Sequence, residues 1–193
     1  MRGSIVLCGV GGMGILRASE IIAEVLLQQG LMVCQSEVHG MAQRGGSVVT
    51  YLRFGKEAYA PLLQRGEADF MIAFEEMEAL RYIPYLKIGG TVLLNRFQLY
   101  PPGTSASDYP QDVPSRLEEA RFKLFTIPAT EMSLKLGDPR FTNTVLLGAF
   151  SKVFPAQEEK LWEGAILKVF RGKKEEENLR AFREGRKAIR TIS

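Results

Sequence analysis

The sequence predicts an α/β fold: a mostly parallel, Rossmann-like sheet flanked by helices, followed by a helical C-terminal region. Three observations carry that prediction. Short apolar runs alternate with segments whose apolar residues recur at helical spacing. Glycines stand at the ends of those segments, and from Ala129 onward the spacing is helical throughout.

The elements follow in order. Ser4 to Cys8 is a short apolar run ending in glycines, and Ile15, Ala18, Ile22, Val25 and Leu26 then recur at helical spacing until Gly30. Strand, glycine turn and helix open a βαβ unit. Leu31 to Cys34 supplies a second strand, and Ser47 to Phe54 a third, bounded by Gly46 and Gly55, with a polar loop from Glu37 to Gly46 between them. Ala68 to Phe74 reads as a buried strand, Glu75 to Leu86 as a helix stopped by Gly89 and Gly90, and Thr91 to Asn95 as the next strand. Tyr100 to Pro114, with its prolines, is an irregular excursion, and Phe122 to Ile127 is the last strand. Helices are expected over Asn143 to Phe154, Ala156 to Phe170 and Glu175 to Ile189, with Gly172 as a break and Asn143 as a helix cap. No linker divides residues 1–193, so one domain is expected.

Composition narrows the function classes. A chain 46% hydrophobic and 24% charged is ordinary for a globular protein, and the net charge of +3 is scattered, which argues against a nucleic-acid partner. The apolar N-terminal stretch is too short for a secretory signal, no run is long enough to span a membrane, and the two cysteines, Cys8 and Cys34, lie in apolar runs. A cytoplasmic protein without disulfides is expected.

Two motifs hold most of the chemistry. Gly9-Val10-Gly11-Gly12-Met13-Gly14 fits G-x-G-x-x-G between a strand and a helix, where exposed N–H groups and the helix dipole favour an anion. Its glycines serve equally well as a tight turn with no ligand. A dinucleotide site needs an acid about 20 residues further on. Glu37 is the nearby candidate, and it fits a ribose poorly from within a polar loop. No second domain and no histidine beyond His39 are present to complete a dehydrogenase. The second motif, Glu37-Val38-His39-Gly40-Met41-Ala42-Gln43-Arg44-Gly45-Gly46-Ser47, gathers the histidine, a carboxylate, an amide and a guanidinium. Arg44 beside two glycines can offer its fork to a carboxylate or phosphate, although a solvated connection has the same composition. Neither a metal-ligand cluster nor a nucleophile paired with a base is evident, so the chain is expected to assist chemistry carried elsewhere.

Together these motifs resemble the gamma-type subunit of the 2-oxoacid:ferredoxin oxidoreductases, and the stretch His39 to Gly46 resembles the indolepyruvate branch in particular. The likeness continues through Gly66 to Asp69, Gly89 to Val92, Asn143 to Ala149 and Asn178 to Gly185, with Met13 standing where a glutamine is common. It implies a pyruvate/ketoisovalerate oxidoreductase gamma-type domain in a complex that converts 2-oxoacids oxidatively to acyl-CoA. It further implies a large alpha subunit holding thiamine diphosphate, Mg2+ and iron–sulfur clusters, with CoA and ferredoxin as further partners and no cofactor held by this chain. By the same resemblance Glu37, His39, Gln43 and Arg44 are supporting catalytic residues at the partner's active site. Gly9, Gly11, Gly12, Gly14, Gly45, Gly46 and Ser47 are the candidate cofactor-binding residues, and no metal ligand is expected. A free-standing Rossmann-type nucleotide-binding protein or NAD(P) dehydrogenase remains the alternative, and a scaffold whose glycine motif is only a turn is a third.

Overall fold

The computed structural model describes residues 1–40, 45–57, 60, 62–100, 103, 105 and 107–189, with His39 described in its backbone only. The apolar N-terminal run forms β1, Gly3–Val10, whose residues Ile5 to Cys8 are completely buried. Helix α1 follows over Ile15–Gln28 and ends as the sequence predicts. Gly30 turns to φ 74°, its N–H donates to the Leu27 carbonyl at 2.9 Å, and the Leu31 N–H reaches the Leu26 carbonyl at 3.2 Å.

The next two strands, β2 (Met32–His39) and β3 (Ser47–Gly55), form an antiparallel hairpin, and β3 also pairs antiparallel with β1. The expected loop is therefore shorter than the polar composition suggested, because Glu37 to His39 complete β2 opposite Thr50, Val49 and Val48. Backbone pairing with β3 outweighs the polarity of the side chains, since an edge strand can leave them in water. Strands β4 (Ala68–Ala73), β5 (Leu86–Asn95) and β6 (Lys123–Ile127) then add in parallel beyond β1, giving the order β2-β3-β1-β4-β5-β6.

Helix α2 is shorter than expected, Glu76–Tyr82, because Pro84 sits in a 3-10 turn over Ile83–Tyr85 that leads directly into β5. Gly89 and Gly90 consequently stop no helix. They lie within β5 where the register slips between Ala68↔Leu86 and Phe70↔Thr91, Gly89 has φ 74°, and a Cβ at Gly90 would come 2.7 Å from Leu86 Cγ. The excursion after Tyr100 closes in a helix not anticipated, α3 (Val113–Glu119), which buries Val113 and Leu117. The remaining helices are α4 (Ala129–Lys135), α5 (Thr142–Val153), α6 (Glu159–Val169) and α7 (Glu175–Ala188), with a 3-10 turn over Pro139–Phe141 before α5.

Alternation along the strands builds a core on each face. Ile5, Leu7, Leu52, Ile72 and Leu93 meet the layer containing α1, α5, α6 and α7. Val6, Cys8, Met71, Ala73, Val92 and Leu94 meet α2 and α3. Helix α5 is buried on all sides from Thr142 to Ser151, as its almost continuous apolar sequence requires. It meets α7 at backbone contact: a Cβ at Gly148 would lie 1.9 Å from the Phe182 carbonyl oxygen, and one at Gly185 would lie 1.9 Å from that of Val145. Strands β1, β4, β5 and β6 all end on one edge of the sheet, and β3 begins there with Ser47 opposite Val10. A parallel α/β sheet places its ligand crevice at this edge.

Candidate functional site

The glycine turn occupies that edge. Met13 N–H donates to the Val10 carbonyl at 3.2 Å, and Gly12 and Gly14 take φ values of 101° and 78°, where side-chain-bearing residues are strained. Gly14 immediately precedes α1, so the positive end of a 14-residue helix faces the turn. Asn143 contacts the turn from α5, its Nδ2 donating to the Gly14 carbonyl at 3.3 Å. Asn143 is therefore not a cap: it lies inside the first turn of α5, and its Oδ1 accepts from the Thr144 N–H at 2.8 Å. The 3-10 turn over Pro139–Phe141 starts the helix at Thr142, which puts Asn143 one residue inside it with its Nδ2 on Gly14.

The hairpin closes over the turn. Gly11 N–H donates to the Gly46 carbonyl and Gly40 N–H to the Ser47 carbonyl, both at 2.9 Å. The structure thus joins Gly11 to Gly46 and sets Ser47 opposite Val10, while Gly9 packs within β1, where a Cβ would come 2.7 Å from Phe74 Cβ. Glu37 stands apart from them. It is an exposed residue of β2 whose Oε1 accepts from Gln35 Nε2 at 2.8 Å, two strands from β1 and so about 10 Å away at the usual strand spacing. His39 pairs through its backbone with Val48, while Gln43 and Arg44 lie outside the described residues.

Two cavities open beside the turn. One of about 350 Å³ is bounded by Val10, Gly11, Gly12, Arg17 and Val48. The other, about 430 Å³, lies between Gly12, Met13, Thr130, Arg140, Asn143 and Phe170. Arg17 borders both, and Arg140 brings a second guanidinium, although each already has a carboxylate neighbour, Glu20 at 2.7 Å and Asp138 at 2.6 Å. Bonds from Arg140 and then Lys174 hold the Asp138 carboxyl well below the usual carboxylate range. The arrangement suits an elongated ligand with an anionic group at the glycine turn.

On the opposite side of β1 lie three buried carboxylates that sequence reasoning treated as part of an ordinary helix. Glu75 caps α2 through the Glu78 N–H at 2.9 Å and also accepts from the Leu99 N–H at 3.0 Å and from the Tyr109 hydroxyl. Glu76 accepts from Arg96 Nε at 2.9 Å and Gln98 Nε2 at 2.8 Å. Glu78 accepts from the Ser47 hydroxyl and from Arg81 Nε, the latter at 3.0 Å. The available signal was their position at the end of a buried strand, where a helix must begin close to the core. Burial, with help from Glu78 and Glu75, pushes the Cys8 thiol well up, so it is a packed neutral group and not a nucleophile. Burial and then the bond to Glu75 likewise raise the Tyr109 hydroxyl. Among the described residues no three His, Cys, Asp or Glu side chains are grouped to hold a metal, and no helix is long and apolar enough to cross a membrane.

Residues 4–188 match the pyruvate ferredoxin/flavodoxin oxidoreductase family. The chain belongs to that family. The match spans both the glycine turn and the hairpin that closes on it. An indolepyruvate oxidoreductase subunit, IorB, of Thermococcus kodakarensis is 40% identical over 98% of this chain and 96% of its own. Among solved structures, a keto/oxoacid ferredoxin oxidoreductase gamma subunit from Geobacter sulfurreducens has the same fold, with a TM-score of 0.73 at 22% identity over 97% of this chain and 98% of that one. A 2-oxoglutarate:ferredoxin oxidoreductase from Magnetococcus marinus, solved with 2-oxoglutarate, coenzyme A and succinyl-CoA bound, contains the same fold in 32% of its longer chain, with a TM-score of 0.77 at 23% identity over all of this one. The sheet order and the two helical layers are therefore the gamma-subunit fold of the ferredoxin oxidoreductases.

Proposed function

We propose that this chain is the small subunit of a cytoplasmic indolepyruvate:ferredoxin oxidoreductase, working as one domain within a heteromeric complex. The observation that carries the reading is the 40% identity, over nearly the full length of both chains, to an indolepyruvate oxidoreductase subunit. The reaction converts a 2-oxoacid and CoA to acyl-CoA and CO2, with two electrons passing to ferredoxin. Its redox groups do not fit this chain. A cluster needs four thiolates, whereas the chain has two cysteines, Cys8 buried in β1 and Cys34 in β2, with β3 between them. Thiamine diphosphate, Mg2+ and the clusters are therefore assigned to a large partner subunit.

The work left to this chain is positioning. Gly11, Gly12 and Gly14 line a cavity suited to the phosphate end of CoA, with Gly46 bonded to Gly11 and with Arg17 and Arg140 nearby, and Gly9, Gly45 and Ser47 are assigned to its support. Glu37, His39, Gln43 and Arg44 are assigned a supporting role at the partner's active site, Glu37 and His39 from strand β2. Family membership counts against a free-standing NAD(P) dehydrogenase. Co-expression with the large thiamine-dependent subunit tests the reading: indolepyruvate-dependent reduction of a viologen dye should require both chains. Full activity from the large chain alone would overturn it.

A further inference from the structure

We propose that Glu78 is a positioning residue, whose buried carboxylate acts through the Ser47 hydroxyl to hold the stem of the β2–β3 hairpin against the glycine turn. The Glu78 side chain is only 3% exposed, yet its carboxylate is not the cap of α2, because Glu75 already accepts from the Glu78 N–H. Its oxygens accept from the Ser47 hydroxyl and from Arg81 Nε, and the Tyr82 hydroxyl lies 3.1 Å from the same Ser47 Oγ. Both Glu78 and Tyr82 therefore direct one face of α2 at a single serine.

That serine is where three segments meet. Ser47 opens β3 opposite Val10, its carbonyl accepts from the Gly40 N–H, and its neighbour Gly46 accepts from the Gly11 N–H. A carboxylate removed from water is costly unless fully bonded, so its placement here ties the α2 layer to the residue at which the hairpin stem meets β1. Loosening that tie leaves the hairpin in its competent arrangement for only a fraction of the time. Apparent affinity falls by that fraction, while saturating ligand restores the arrangement and turnover with it.

The consequence for catalysis rests on the proposed 2-oxoacid activity, so the test has one arm with it and one without. In the assembled two-subunit enzyme, Glu78→Gln should raise the KM for the 2-oxoacid or CoA about fivefold with kcat within twofold. Glu76→Gln, an equally buried carboxylate of the same helix that bonds Arg96 and Gln98 instead, should leave both constants unchanged. In the same complex, amide hydrogen exchange at Gly40 and Gly11 should quicken in Glu78→Gln and not in Glu76→Gln. Equal effects of the two variants, or unchanged exchange at both amides in Glu78→Gln, would overturn the assignment. A complex with no 2-oxoacid turnover would instead sink the proposed function and leave the exchange result to decide on Glu78.

Discussion

Asn143 and Gly14 touch across 129 residues of chain, the asparagine amide donating to the glycine carbonyl at 3.3 Å. The contact ties the buried helix α5 to the turn at the sheet edge. A Cβ at Gly14 would come 2.7 Å from Asn143 Nδ2, at a φ of 78°. Gly14→Ala should therefore cost about 1–3 kcal/mol of stability, from the left-handed backbone and the displaced amide together. Urea unfolding measures it, and a variant as stable as the parent would show that the turn adjusts freely.

The contact between α5 and α7 leaves less room still. Gly148→Ala must push apart two backbones already touching, and overpacking costs about 1–3 kcal/mol, with a backbone clash at the upper end. The single tryptophan, Trp162, is buried in the same layer and donates to the Ala156 carbonyl at 2.6 Å. Its fluorescence should shift to the red at a clearly lower urea concentration in the variant than in the parent.

Tyr109→Phe removes the hydroxyl donor from Glu75, a fully buried carboxylate that keeps its bonds to the Glu78 and Leu99 N–H groups. A lost hydrogen bond to a charged group should cost about 1.5–3 kcal/mol, read as a lower midpoint in denaturant. An unchanged midpoint would mean that the two backbone donors suffice.

Asp138 sets an acid dependence. Its folded-state ionisation is depressed, so its contribution to stability is complete above the ordinary carboxylate range near pH 4 and is lost as the pH falls toward the folded value. Arg140→Ala, which removes the first partner, should flatten the stability profile below pH 4 relative to the parent. Parallel profiles for the two proteins would show that Lys174 alone maintains the shift.

Arg44→Ala tests the hairpin motif directly. In the assembled complex it should lower turnover or raise the apparent KM for the 2-oxoacid, while leaving the Trp162 unfolding midpoint in place. Unchanged kinetics would remove Arg44 from the supporting catalytic set.

The elements with strong periodicity were legible. Strand β1, helix α1 with its Gly30 stop, and helices α5 to α7 all fall where the apolar residues place them, α1, α6 and α7 through one periodic buried face and β1 and α5 through nearly continuous apolar runs. The misjudged segments were decided by partners distant in sequence. Glu37 to His39 became strand through pairing with β3, and Gly89 and Gly90 became a bulge through pairing of β5 with β4.

The glycine turn shows where local sequence stops and tertiary structure begins. Residues 9–14 by themselves determined a strand-to-helix turn, since Gly12 and Gly14 permit backbone angles that other residues resist. What surrounds that turn was settled only by folding. Strand β3 entered between β1 and β2 and brought Gly46 onto Gly11, α5 delivered Asn143, and α2 buried Glu78 against Ser47. Each of these contacts joins segments whose own patterns carry no record of the other. Their meeting follows from burying two faces of one sheet at once, a constraint on the whole chain and not on any stretch of it.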